Sequence, residues 1–144
     1  MDGWHIYEPR SGHGLPHDPF NAIVGPRPIG WISTVSAAGQ RNLAPYSFFN
    51  AFNYTPPIIG FSSVGEKDTV RNIRETGEFV WNLADEALAG AMNATCAIVG
   101  PEVDEFMLAG LEAASSALVK PPRVAASAVA FECRLTQQIP LTDA

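Results

Sequence analysis

Hydrophobic positions in this chain fall into short runs with the two-residue period of strands, and only briefly into the 3.6-residue stripe of a helix. After a first stretch, Met1 to Pro19, that has no clear period, "NAIVG" and "PIGWISTVS" read as β runs rich in Ile, Val, Trp and Thr. In the second run Ile29, Trp31, Ser33 and Val35 share one face, and Ile32, Thr34 and Ser36 the other. Pro26 and Pro28 must lie at an edge or at a strand start. "AAGQ" predicts a hairpin turn, "RNLAPYSFFNAFNY" a strand and then an irregular loop, and "PPIIGFSS" a buried strand opened by prolines. "EFVWNLA" predicts a further strand. "PPRVAASAVAFECRLTQQIPL" predicts one long closing strand, in which Val129, Phe131, Cys133 and Leu135 alternate with polar or small residues.

Helical signals are few. In "FSSVGEKDTVRNIRETGEF" (61–79) Gly65 marks a turn, Asp68 is placed to cap a short helix, Val70 and Ile73 point inward, and Gly77 supplies a left-handed stop. Asp85 to about Ala94 predicts a second helix, with Leu88 and Met92 four residues apart. "EVDEFMLAGLEAASSALV" divides between a short helix and a loop. Strands not separated by regular crossover helices disfavour a parallel doubly wound sheet and predict a mainly β domain over residues 20–144, a small closed or partly open barrel, preceded by an N-terminal arm over 1–19.

Composition narrows the function. At 144 residues the chain forms one domain with a proper core, and 47% hydrophobic with 17% charged residues fits a globular protein. A net charge of -6 argues against a general nucleic-acid or membrane-surface binder. No apolar run approaches the roughly 20 residues that span a bilayer. The N-terminus lacks the features of a signal peptide, so a cytoplasmic location is expected. Cys96 and Cys133 make no disulfide framework and no metal quartet, and read as reduced structural thiols. His5, His13 and His17 match no zinc spacing and read as solvated loop residues.

Two segments carry chemistry. Around the start of the 61–79 helix an acidic protein collects Ser62, Ser63, Lys67 and Thr69, with Arg71 and Arg74 further along. Helix starts offer unpaired N–H groups and a positive dipole end, so this corner either caps its own helix or holds an anion such as a phosphate. Residue types alone balance the two readings. It is not a Walker loop and contains no GxGxxG. The second segment, Ala44, Pro45, Tyr46, Ser47, Phe48 and Phe49, is either a core-packed aromatic loop or a platform for a flat ligand, with Ser33, Thr34, Ser47 and Asn50 offering hydrogen bonds. No GxSxG occurs, and Glu102, Asp104 and Glu105 read as solvated surface. Binding groups without catalytic side chains or metal ligands suit a protein whose cofactor carries the chemistry.

Taken in order, "NAIVGPRPIGWISTVSAAGQRNLAPYSFFNAF", "PPIIGFSS", "KDTVRNI", "TGEFVWNLA", "LAGL" and "VKPPRVAASAVAFECRL" resemble the flavin reductase-like family with the FMN-binding split β-barrel fold, from about Phe20 to Leu135. The resemblance implies a homodimer with FMN near the subunit interface and NADH or NADPH as co-substrate. It leaves room for an oxygenase or other redox partner. It places a phosphate corner on Ser62, Ser63, Lys67 and Thr69, and ring- and ribityl-contacting segments on Trp31 to Thr34 and Ala44 to Asn50. The expected activity is hydride transfer from NAD(P)H to flavin; the alternative is an FMN-binding electron carrier or sensor without its own nicotinamide site. Family chains usually continue past the "ECRL" strand with a further glycine-containing strand that completes the barrel. The expectation here is either a naturally short member or a truncated product, with an exposed edge to be covered by a partner.

Overall fold

In the computed structural model, which describes residues 3–141, a four-stranded antiparallel sheet forms the frame. Its strands are β1 (Gly30–Val35), β2 (Arg41–Tyr46), β5 (Glu78–Asn82) and β8 (Ala130–Arg134), in the order β2-β1-β5-β8. Strands β3 (Phe49–Tyr54) and β4 (Pro57–Phe61) form a separate ribbon, and β6 (Ala113–Ala114) with β7 (Arg123–Val124) a short second one. The hairpin β1–β2 closes through Ser36–Gln40, where the Ser36 N–H donates to the Gln40 carbonyl at 2.8 Å and Gly39 takes a φ of 87°. Pro45 lies in β2, an edge strand, where its missing N–H breaks no ladder on the open side.

Strand β1 is central and buried on both faces. Trp31 joins Leu43, Leu88, Phe106 and Val124 in one core cluster, and Ile32 joins Tyr46, Ile73 and Phe79 in the other. The first cluster lies under the 3-10 turn Glu86–Leu88, helix α3 (Ala89–Ala94) and helix α4 (Glu105–Leu108). The second lies under helix α2 (Asp68–Thr76), with Ile59 and Phe61 of β4 packed against it.

Several local expectations are corrected. "NAIV" is not a strand: Pro19–Ile23 is helix α1, with Pro19 in its first turn and the Asp18 carboxylate accepting from the Phe20 N–H at 2.9 Å. Asp-Pro is an N-cap followed by a residue preset for helical φ, a signal the β-branched neighbours obscured. Asp68 is the first residue of α2, not its cap; the cap position is Lys67, which makes no side-chain cap bond, and Asp68 pairs instead with Arg71. Gly77 does end the helix in the left-handed region, at φ 73°. The irregular loop predicted after β2 is only the bend Ser47–Phe48, since β3 follows at once. "PPIIGFSS" is only half-buried, and its ribbon partner β3 is exposed, with Phe52 at 74% and Tyr54 at 90%. The single closing strand is two, β7 and β8, interrupted by a turn in which the Ser127 N–H donates to the Val124 carbonyl. Cys96 is exposed, whereas Cys133 is partly buried against the second core cluster and its thiol is pushed up to about 11 by burial.

The divided segment resolves into α4 and β6. Asp104 caps α4, its carboxylate accepting from the Phe106 N–H at 3.0 Å, and pairs with Arg41. Glu105, expected on the surface, is buried, and its carboxylate accepts from the Leu43 N–H at 3.1 Å. Burial is the main reason its pKa is raised; the nearby Asp68 and Asp104 charges add to the shift, and backbone hydrogen bonds oppose it. A raised folded-state pKa means that this group's contribution to stability is full below its unfolded value near 4.5 and is lost as pH rises through the folded value. Glu105→Gln, which keeps an acceptor for Leu43 without the charge, should therefore raise the melting temperature at pH 7 more than at pH 4, as followed by thermal scans of both proteins.

Candidate functional site

The 61–79 stretch folds into a corner where the end of β4, a glycine turn and the first turn of α2 meet the C-terminal end of β2. The Ser62 N–H donates to the Phe48 carbonyl at 2.8 Å, which ties the end of β4 to the bend after β2. The Ser63 hydroxyl donates to the Gly65 carbonyl at 2.9 Å across the turn, where Gly65 has φ 79°. Lys67 then extends over the ring of Tyr46, its Nζ 5.7 Å from the ring centroid. The Tyr46 ring packs on Phe61 at 4.7 Å, and Phe61 meets Phe79 edge-on at 5.9 Å.

Charge pairing sharpens the corner. Arg71 is engaged by Asp68 and Arg74 by Glu66, so both arginines are neutralised locally. Lys67 has no ion-pair partner among the described residues. The corner therefore carries one uncompensated cation at the positive end of a nine-residue helix. The neighbouring shallow pocket, bordered by Ser36, Gln40, Arg41, Asp68 and Arg71, is different: its arginines already face carboxylates.

Tyr46 stands out chemically. It is 5% exposed, and its hydroxyl, sealed beside the Thr69 and Ser63 side chains, has no hydrogen-bond partner in good geometry among the described residues. A buried polar group left without a partner costs about 1–3 kcal/mol. Burial raises the phenol pKa, so the group stays a neutral donor. An orphaned buried donor, an unpaired ammonium and free helix N–H groups converging on one corner fit an anionic oxygen cluster such as a phosphate.

The other expected site residues are placed differently. Thr69 is buried, at 1% exposure, and its Oγ1 accepts from Asn42 Nδ2 at 2.9 Å. Trp31, Ser33 and Thr34 turn their side chains into the protein: Trp31 Nε1 donates to Thr95 Oγ1 at 3.0 Å, the Ser33 hydroxyl donates to the Pro122 carbonyl, and Thr34 Oγ1 accepts from Asn42 and Asn72 at 3.2 and 3.1 Å. Ala44 and Pro45 lie in β2 opposite Ile32 and Trp31. Ser47 Oγ accepts from Arg27 Nε at 3.4 Å, and Asn50 is exposed, its Oδ1 accepting from the Ala51 N–H at 2.8 Å. Tyr46, expected with the aromatic platform, belongs to the Lys67 corner.

Three residues escaped the sequence reading. Asn42 and Asn72 form the buried amide pair just described. Arg27 clamps helix α1 to the aromatic bend: its guanidinium donates to the Asn21 carbonyl at 2.9 Å and to the Val24 carbonyl, and lies 5.1 Å from the Phe48 ring centroid. Their only signal was polarity inside otherwise strand-like runs, which loops also show. Phe49, Trp81 and Phe131 stack in series at 5.9 and 4.7 Å, joining the β3–β4 ribbon to β5 and β8.

Comparison with known proteins supplies the family. The flavin reductase like domain model matches residues 25–144, and the chain belongs to that family. An uncharacterized Aquifex aeolicus protein is 44% identical over 126 residues, covering 84% of this chain and 64% of that one. The chain thus spans under two thirds of the length of such curated relatives. Nitrilotriacetate monooxygenase component B from Bacillus cereus is 31% identical, covers all of this chain and 74% of its own, and superposes with a TM-score of 0.87. A split barrel domain protein from Shewanella frigidimarina matches 82% of this chain and 60% of its own at 23% identity and a TM-score of 0.78, which identifies the fold. The open sheet and its separate ribbons are a split β-barrel.

The ribbon reaches this frame by a close crossing. A Cβ built on Gly30 would lie 2.7 Å from Cδ2 and 3.2 Å from Cβ of Phe49, so the space belongs to the aromatic bend. Gly30→Ala should displace Phe49 and lower stability by about 1–3 kcal/mol, measured by denaturant unfolding.

Proposed function

We propose that the chain is the FMN-binding part of a flavin-dependent oxidoreductase of the flavin reductase type, with NADH or NADPH as the electron donor. The observation that carries the reading is the Lys67 corner: an unpaired ammonium, a helix start and an orphaned buried hydroxyl in a chain of the flavin reductase like family. Ser62, Ser63, Lys67 and the N–H groups of the first turn of α2 would hold the FMN phosphate. The Ala44–Asn50 segment, fixed by Arg27 and by the Gly30–Phe49 crossing, would present one wall to the ring. Trp31, Ser33 and Thr34 would act from beneath, shaping that wall through the core, since the Trp31 indole N–H and the Ser33 and Thr34 hydroxyls are engaged inside the protein. When bound, the isoalloxazine would accept a hydride from the nicotinamide and pass electrons onward.

A homodimer completes the proposal. The chain exposes 9772 Å². A compact monomer of 15.4 kDa exposes about 7,200 Å². Part of that surface is apolar, including Phe52 and Tyr54 on a two-stranded ribbon that would be marginal alone. A second copy over this face would turn an open corner into an enclosed site. The likeness to an oxygenase component B supports an oxygenase as one class of electron acceptor.

Purified protein given FMN should retain it, show flavin absorbance and be bleached on anaerobic mixing with NADH or NADPH. A flavin that stays oxidised until a redox partner is added would indicate an electron carrier; no flavin uptake at all would overturn both readings. Lys67→Ala should weaken FMN binding roughly ten- to hundredfold, the loss of one charge-assisted contact, by fluorescence titration.

A further inference from the structure

We infer that residues 115–122, which join β6 to β7, form a strap latched onto the sheet by two carboxylates, and that its outer bend, 117–120, swings open as a unit when Glu132 loses its charge. The inference does not depend on the flavin reading.

Directly opposed residues of an antiparallel pair share one face of the sheet. On β5, Glu78, Val80 and Asn82 alternate onto one face; Ser33 of β1 lies opposite Val80, and Glu132 and Arg134 of β8 lie opposite Val80 and Glu78. Trp31, opposite Asn82, belongs to the first core cluster, so this face points away from Tyr46 and the Lys67 corner. Four polar side chains of the face hold the backbone that crosses it. The Ser33 hydroxyl donates to the Pro122 carbonyl, and Asn82 Oδ1 accepts from the Val124 N–H at 2.8 Å. Glu132 Oε1 accepts from the Ala117 N–H at 2.7 Å, its Oε2 accepts from the Leu118 N–H, and Glu78 Oε2 accepts from the Lys120 N–H at 2.9 Å.

The two ends of the strap differ in kind. The inner end is neutral and sealed: Ser33, Asn82, Pro121 and Val124 are all buried. The outer bend is exposed, with Leu118 at 76%, and three of its N–H groups end on carboxylates. Pro121 and Pro122 lie between the two ends and have no N–H to tie the chain down, which makes them the pivot. Val80, fully buried, lies on the face between Ser33 and Glu132, so release would uncover an apolar position beside the edge strand β8.

Charge is what holds the latch. Neither Glu78 nor Glu132 is in an ion pair among the described residues. The charged groups around Glu132 are Arg134 on its own strand, Glu78 on β5, Lys120 on the strap and Arg123 on β7. The Ala117 and Leu118 N–H groups hold the Glu132 carboxyl below its ordinary value of 4.5, with Arg123 adding to the effect and desolvation opposing it. A lowered folded-state pKa means that the latch is at full strength above 4.5 and is lost as pH falls through the folded value. A protonated carboxyl is left with one good acceptor oxygen for two N–H donors.

Amide hydrogen exchange, read residue by residue by NMR on the purified protein, tests the latch. At pH 7, Glu132→Gln should lower the protection of the Ala117, Leu118 and Lys120 amides about tenfold or more, while Val124 stays protected as in the wild type. In the wild type the same three amides should lose protection as the pH is lowered from about 5 to about 3, ahead of Val124. Unchanged protection in Glu132→Gln would overturn the inference. Loss at Ala117 and Leu118 without Lys120 would mean two local bonds and no moving unit, and equal loss at Val124 would mean that Glu132 holds the whole domain; either result defeats it. If Glu132→Gln does not fold, the wild-type titration decides: Val124 losing protection with or before the outer bend contradicts the latch.

Discussion

The structure depends on burying a polar residue at the centre of the sheet. Thr34 sits on the strand that is covered on both faces, and its oxygen must be satisfied inside the protein. It is satisfied by Asn42 from β2 and Asn72 from α2, and Asn42 reaches on to Thr69 in the first turn of the same helix. These bonds fix both the rotation of α2 against the sheet and the position of its N-terminal turn. Hydrophobic burial of Ile73 alone would hold the helix down but would allow it to slide. The position of Lys67 over Tyr46 follows from this register.

Electrostatics then selects what the corner can do. An acidic chain that pairs Arg71 with Asp68, Arg74 with Glu66 and Arg41 with Asp104 has spent most of its nearby positive charge on itself. One lysine remains at a helix start, next to a phenol kept neutral by burial. Such a set suits a compact dianion better than a polyanion, which would meet the surrounding carboxylates. The chemistry would then belong to the ligand, and the protein's work would be binding and exclusion of water.

Legibility followed the range of the interactions. The β1–β2 hairpin, the α2 stop at Gly77 and the Asp85 cap were readable because each depends on residues a few positions apart. Helix α1 was not legible because "NAIV" has the composition of a strand, while its Asp-Pro start precedes that run. The cap of α2 was misassigned by one residue because Asp68 found a better partner in Arg71. Within the site, the resemblance leads one to expect a phosphate at the start of α2, but does not tell which side chains there are buried and which are open. Thr69 is tied to Asn42, 27 positions away in sequence, and Asn72 to Thr34, 38 positions away, so these partners are adjacent only in space. The strand β3 was read as an irregular loop because "FNAFNY" mixes exposed apolar and polar residues without a buried face.

The central claim is that the start of α2 grips the phosphate of FMN. Phosphorus-31 NMR of FMN bound to the protein tests it directly. A free phosphate monoester titrates with a second pKa near 6. The claim predicts a bound resonance displaced from that of free FMN and held as the dianion to well below pH 6. A bound resonance that titrates like free FMN would place the phosphate in solvent and contradict it.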